Sequence, residues 1–96
     1  MNTEWYVYVL QCSDGSYYTG VSKDVKRRLK EHNCSPRGAK YTRSRRPVKL
    51  HFCSGVFSRS LACKIESKIK KLSNKRKSEL STKDEVFSTI LASFNG

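Results

Sequence analysis

Tyr8, Tyr18, Gly20, Arg28 and His32 all fall between Trp5 and His32, a stretch short enough to bring two phenols, a guanidinium and an imidazole to one place. Farther on, Glu66 is the only acid between Glu31 and Glu79, and it stands among Lys64, Lys68, Lys70 and Lys71. A single carboxylate at the edge of a phosphate site is a common way to hold Mg²⁺, with water and substrate as the other ligands. The plainer reading is an i,i+4 ion pair with Lys70, worth roughly a few tenths of a kcal/mol, and this stretch taken alone favours it. Between these groups runs Gly38–Pro47, the most basic loop of the chain. Its Lys40, Tyr41, Thr42, Arg43, Arg45 and Arg46 mix cations, a hydroxyl and an aromatic ring, which together grip a phosphate backbone and stack on a base. A flexible, solvated run of charge is the alternative for that loop.

Whether the cluster forms depends on how two strands, Trp5–Cys12 and Ser16–Val21, pair across Ser13-Asp14-Gly15. A two-residue Asp14-Gly15 turn pairs Ser13 with Ser16 and sends Tyr8 and Tyr18 to opposite sides of the sheet. A longer Ser13-Asp14-Gly15 loop, with Gly15 left-handed in a bulge, pairs Cys12 with Ser16. It places Tyr6, Tyr8, Leu10, Tyr18, Gly20 and Ser22 on one face. Asp-Gly suits both turns. The longer loop is preferred because it sets Gly20 opposite Tyr8, where a missing side chain leaves room for a ligand. A helix from about Asp24 to Asn33 follows, with Ser22 or Asp24 as N-cap. Val25, Leu29 and His32 form its inward stripe. Arg28 borders that stripe, whereas Arg27, Lys30 and Glu31 point away.

Ninety-six residues make one domain, 1–96, with a single modest core. The informative number is 20 Lys+Arg against 8 Asp+Glu, a formal net charge of +12. By segment the charge is −2 over 1–22, +9 over 23–49, +7 over 59–77 and −2 over 78–96. A basic middle between slightly acidic ends suits a polyanion, DNA or RNA, bound on one surface. An anionic membrane fits less well, because the basic helices lack a broad exposed aromatic face. Cys12, Cys34, Cys53 and Cys63 show no C-x-x-C spacing and no zinc pattern with histidine. No secretory signal and no apolar run of membrane length is present, so reduced thiols in a cytoplasmic protein are expected.

The rest of the chain reads as scaffold. Val48–Cys53 alternates as a third strand with Val48, Leu50 and Phe52 on one face and His51 on the other. Ser58 caps a helix from about Arg59 to Leu72, whose apolar stripe is Leu61, Ile65, Ile69 and Leu72. Asn74–Leu80 reads as a short basic helix or turn. Thr82-x-x-Glu85 is a capping-box pattern opening a last helix with Val86, Phe87, Ile90 and Leu91 apolar.

Taken in order, these residues resemble the GIY-YIG nuclease domain over about residues 4–80. Tyr6-Val7-Tyr8 stands at the first signature and Tyr18-Thr19-Gly20 at the second. Tyr6 replaces the first signature glycine and Thr19 the middle isoleucine. The run Lys23 to Asn33 matches the following helix, and Glu66 sits in the third block after Ala62. Gly-Ala-x-x-Thr-Arg…Arg-Pro, here Gly38 to Pro47, is similar to small stand-alone bacterial members and to the nuclease subunit of structure-specific DNA-junction endonucleases. The resemblance implies an α+β fold, a small three-stranded antiparallel sheet flanked by helices. It implies hydrolysis of DNA phosphodiester bonds with one Mg²⁺ or Mn²⁺ ion. Tyr8 and Tyr18 would orient or deprotonate the attacking water, Arg28 would clamp the scissile phosphate, His32 would assist and Glu66 would hold the metal. It also outweighs the local preference for Glu66 as a plain ion pair. No second DNA-binding domain follows in the sequence, which implies recognition of branched or single-stranded shapes, or a protein partner that supplies specificity. A non-catalytic nucleic-acid-binding module using the same basic face is the alternative.

Overall fold

In a computed structural model that describes residues 4–80 and 85–92, three antiparallel strands form one sheet at the centre of an α+β fold. β1 (Trp5–Gln11) is the middle strand, with β2 (Tyr17–Ser22) on one side and β3 (Lys49–Phe57) on the other. Between β2 and β3 come α1 (Val25–Cys34) and a single turn, α2 (Lys40–Arg43). After β3 come α3 (Arg59–Lys70), α4 (Asn74–Ser78) and α5 (Glu85–Ala92). The basic loop is thus interrupted by a turn of helix, which the sequence reading did not anticipate. Thr82, the first residue of its expected capping box, lies outside the described residues, and the last helix it anticipated is α5.

The β1–β2 register is that of the longer loop, with Tyr8 opposite Gly20 and Tyr6 opposite Ser22. Gly15 takes φ +85°, its N–H donates to the Cys12 carbonyl at 3.0 Å, and the Cys12 N–H donates to Ser16 at 2.8 Å. The Asp14 carboxylate accepts from both the backbone N–H and the hydroxyl of Ser16. A left-handed glycine and an aspartate that closes its own turn therefore fix which way every β1 side chain points.

β1 lacks a polar face because both of its faces are covered. On one face Tyr8 and Leu10 pack with Cys12 and Val48, joined by the partly buried Tyr18, Val25, Leu29 and Cys53. On the other, Val7 and Val9 meet Phe52 and the α3 residues Ala62, Ile65 and Ile69, closed by Leu80, Phe87 and Ile90. Phe87 of α5 meets Phe52 edge-on with ring centroids 4.8 Å apart. Trp5, at the start of β1, lies between the Lys23 ammonium (5.7 Å) and the Arg59 guanidinium (5.5 Å). Its indole N–H is buried with no partner among the described residues.

β3 departs from the expected alternation. Val9 pairs with Phe52 but Leu10 pairs with Leu50, so His51 is the extra residue of a bulge. Val48 consequently joins the α1 side, Phe52 joins the α3 side, and Leu50 is left 45 % exposed. His51 donates through Nε2 to the Lys77 carbonyl at 3.0 Å and packs its ring on Tyr17.

α1 starts where Asp24 accepts the Arg27 N–H at 3.1 Å, while Ser22 Oγ accepts the Asp24 N–H, so both expected caps contribute. At its far end the Arg46 guanidinium donates to the carbonyls of Glu31, His32 and Ser35. Asn33 adds a two-sided bond to Val48, accepting its N–H at 2.7 Å and donating to its carbonyl at 3.0 Å. These contacts seat α1, and with it Arg28 and His32, against the sheet. Among the described residues no helix is long and apolar enough to cross a membrane.

Candidate active site

The Tyr8 ring lies across Gly20, where an added Cβ would come within 2.6 Å of the Tyr8 hydroxyl oxygen. The space left by the missing side chain is therefore filled by the phenol itself and not, as the sequence reading had it, by a ligand. Tyr8 is only 1 % exposed.

His32, fully buried on α1, meets Tyr8 Oη through Nε2 at 2.9 Å. Its other nitrogen, Nδ1, accepts the Ala39 backbone N–H at 3.2 Å and lies 2.9 Å from Thr42 Oγ1. The Thr42 hydroxyl donates to the Ala39 carbonyl at 2.8 Å. Both ring nitrogens are thus engaged inside the protein, Nε2 by Tyr8 and Nδ1 by the Ala39–Thr42 turn. Burial, followed by the charge of Arg28, drops the His32 pKa to about 4, so the imidazole is neutral at pH 7.

Burial also pushes the Tyr8 pKa up to about 12, helped by Tyr18 and Glu66 and opposed by a hydrogen bond from Arg28. At neutral pH the phenol keeps its proton. Its hydroxyl is held by the 2.9 Å hydrogen bond to His32. Tyr18 stands beside this pair, its ring centroid 6.5 Å from Tyr8, 5.0 Å from His32 and 6.1 Å from Tyr41.

The helix face expected for the two arginines is the one observed: the Arg28 side chain is 29 % exposed and that of Arg27 is 67 % exposed. Arg28 Nη1 donates to Glu31 at 2.7 Å and to the Arg37 carbonyl at 3.0 Å. The hydrogen bond from Arg28 holds the Glu31 carboxyl below its usual range. An incoming phosphate would compete with Glu31 for that guanidinium.

Glu66 comes from the opposite layer, on α3, which packs along β2 and β1. It makes the ion pair anticipated from its spacing, Oε2 to Lys70 Nζ at 3.4 Å, and it is half-buried. Its negative charge is the smallest of the influences that raise the Tyr8 pKa. Among the described residues no group of three or more His, Cys, Asp or Glu could hold a metal.

The basic loop divides into an outer and an inner set. Lys40, Tyr41 and Arg43 are exposed. Arg45 lies 3.9 Å above the Tyr41 ring and pairs with Asp14 at 3.0 Å, tying the loop to the β1–β2 turn. Thr42, in contrast, is fully buried beneath His32, and a hydroxyl with no exposed area cannot meet a strand. Arg46 is committed to the carbonyls that end α1. Sequence reading placed both at the surface and missed the roles of Ala39 and Thr42 behind His32. One signal was available in Gly38: a Cβ there would sit 2.6 Å from the Glu31 carbonyl, so the loop touches α1 where only glycine fits.

Comparison with known proteins agrees with this geometry. Residues 4–79 match the family described as the GIY-YIG catalytic domain. The chain is 48% identical over 87 residues to a UPF0213 protein of Desulfotalea psychrophila, covering 90% of this chain and 79% of that protein. It is 47% identical over 83 residues to a UPF0213 protein of Fusobacterium nucleatum, covering 86% and 82%. A solution NMR structure of an E. faecalis protein, 40% identical, covers 98% of this chain and 90% of that one with a TM-score of 0.55. With the signature residues, the fold and these relatives in agreement, the chain belongs to the GIY-YIG family of nuclease domains.

Proposed function

We propose that this protein is a metal-dependent endonuclease that hydrolyses DNA phosphodiester bonds, on branched or single-stranded substrates. One observation carries the reading: Tyr8, Tyr18 and His32 meet on one face of the sheet, with Arg28 one turn before His32 on α1. Arg28 clamps the scissile phosphate, exchanging Glu31 for phosphate oxygens that its planar fork fits. Tyr8 and Tyr18 orient the attacking water, with the Tyr8 hydroxyl held in place by His32. His32 stays neutral in this scheme and positions the phenol. Lys40, Tyr41 and Arg43 hold the flanking backbone, with Arg45 steadying the Tyr41 ring. Target choice rests on nucleic-acid shape or on a protein partner.

Glu66 is a half-buried carboxylate, a hard-oxygen donor of the kind that suits a single Mg²⁺ or Mn²⁺ keeping most of its water. Glu66 would hold the ion, which would neutralise charge developing on the leaving oxygen. The second reading, a nucleic-acid-binding module without catalysis, draws on Arg28 being engaged by Glu31 and the Arg37 carbonyl. Labelled duplex, flap, fork and single-stranded DNA incubated with Mg²⁺ or Mn²⁺ decide between them. Cleavage that falls about 100-fold or more in both Arg28→Ala and Glu66→Gln supports the enzyme. Cleavage unchanged by either substitution sinks the site. Steeply salt-dependent binding with no metal-dependent product would favour the module.

A further inference from the structure

α3 carries a second basic surface that the site does not use. Ser60, Lys64, Lys68 and Lys71 fall within about 80° of one another at 3.6 residues per turn, on the side opposite Ala62, Ile65 and Ile69. All four are exposed. Lys64, Lys68 and Lys71 make no ion pair among the described residues, because the acid on this helix, Glu66, is taken by Lys70. From Lys64 to Lys71 the row spans about 10 Å at 1.5 Å per residue. Lys75 on α4 is likewise exposed and prolongs the positive charge.

The position of this row matters more than its charge. Arg27 and Lys30 of α1, with Lys40 and Arg43 of α2, point away from the sheet on one side. The α3 row points away on the other, across two core layers of a molecule 19 Å thick along its shortest axis. A straight duplex lying on α1 and α2 cannot reach α3. A nucleic acid that touches both must pass round an edge of the sheet. The β2 edge is the one that α3 packs along, and there the Tyr8 ring overlies Gly20.

We propose that Lys64, Lys68 and Lys71 form a second phosphate-backbone track, and that the ligand it fits is a nucleic acid branching or bending round the β2 edge. One arm lies against α1 and the Gly38–Pro47 loop, and the other against α3. This rests on the nucleic-acid reading above but not on catalysis, so it is tested by binding in EDTA. Fluorescence anisotropy compares a splayed-arm fork with a straight duplex of equal length over a salt series. The unmodified protein is set against a Lys64→Ala/Lys68→Ala/Lys71→Ala variant, whose changes lie on a solvent face and leave the melting temperature in place. The fork is expected to bind at least ten-fold more weakly to the variant, with its log–log salt slope reduced by about 2–3, while the duplex changes less than two-fold. A parallel Lys40→Ala/Arg43→Ala variant weakens both ligands. Equal loss for fork and duplex in the α3 variant, or loss for neither, overturns the track and leaves the nuclease reading standing. Failure of the unmodified protein to bind either ligand overturns the track together with the nucleic-acid reading beneath it.

Discussion

The two faces of this sheet are built on different principles, although one strand supplies both. On the α3 side Val7 and Val9 enter a core that is mostly apolar, from Phe52 to Ile90, with Thr19 as its buried polar neighbour. On the α1 side the same strand turns Tyr8 into a layer where His32 and Thr42 are fully buried and polar. Apolar burial is non-directional and tolerates small shifts, whereas each buried polar atom requires its partner in place. The α3 side therefore supplies most of the stability, and the α1 side holds a fixed geometry. Alternation along β1 is what allows a chain this short to do both.

That division can be broken by experiment, beginning with the largest effect. Ile69→Ala, at a position with no exposure, is expected to cost about 2–5 kcal/mol in denaturant unfolding while cleavage per folded molecule is unchanged. Lost activity without lost stability would contradict the division. Next comes acid. His32 titrates near 6.5 when unfolded and near 4 when folded, so between these values the unfolded chain binds more protons. Stability contributed by keeping His32 neutral is complete above pH 6.5 and falls by up to about 3 kcal/mol as pH drops to 4. Unfolding midpoints of the wild type and His32→Gln measured over that range should diverge, with the slope flattened in the variant. Identical slopes would mean that the imidazole is not buried neutral. The smallest stability change is expected for Gly20→Ala, about 1–3 kcal/mol as the phenol is pushed aside, but cleavage should fall about 100-fold. Single-turnover assays showing wild-type rates would sharpen the comparison differently, by showing that the Tyr8 position is not critical.

Much of the α1 side was readable beforehand. The apolar and aromatic pattern of β1, the longer Ser13-Asp14-Gly15 loop preferred on account of Gly20, and the helical spacing of Val25, Leu29 and His32 placed both phenols, Arg28 and His32 on one side. For Glu66 the local spacing foretold the ion pair with Lys70 that is observed, whereas a metal-holding role was implied by family resemblance alone. Other features needed three dimensions. The bulge at His51 exposes Leu50 through pairing with β1, which no local pattern encodes. Thr42 and Arg46 look like surface groups among cations, but their partners lie on α1, about ten to fifteen positions earlier in the chain. Gly20 was correctly singled out, but for a ligand where it accommodates Tyr8.

The single tryptophan deserves a practical reading. Trp5 is held between Lys23, just before α1, and Arg59, at the start of α3. A polyanion that draws these cations off the indole is expected to change its emission, which a dye-free fluorescence titration would detect.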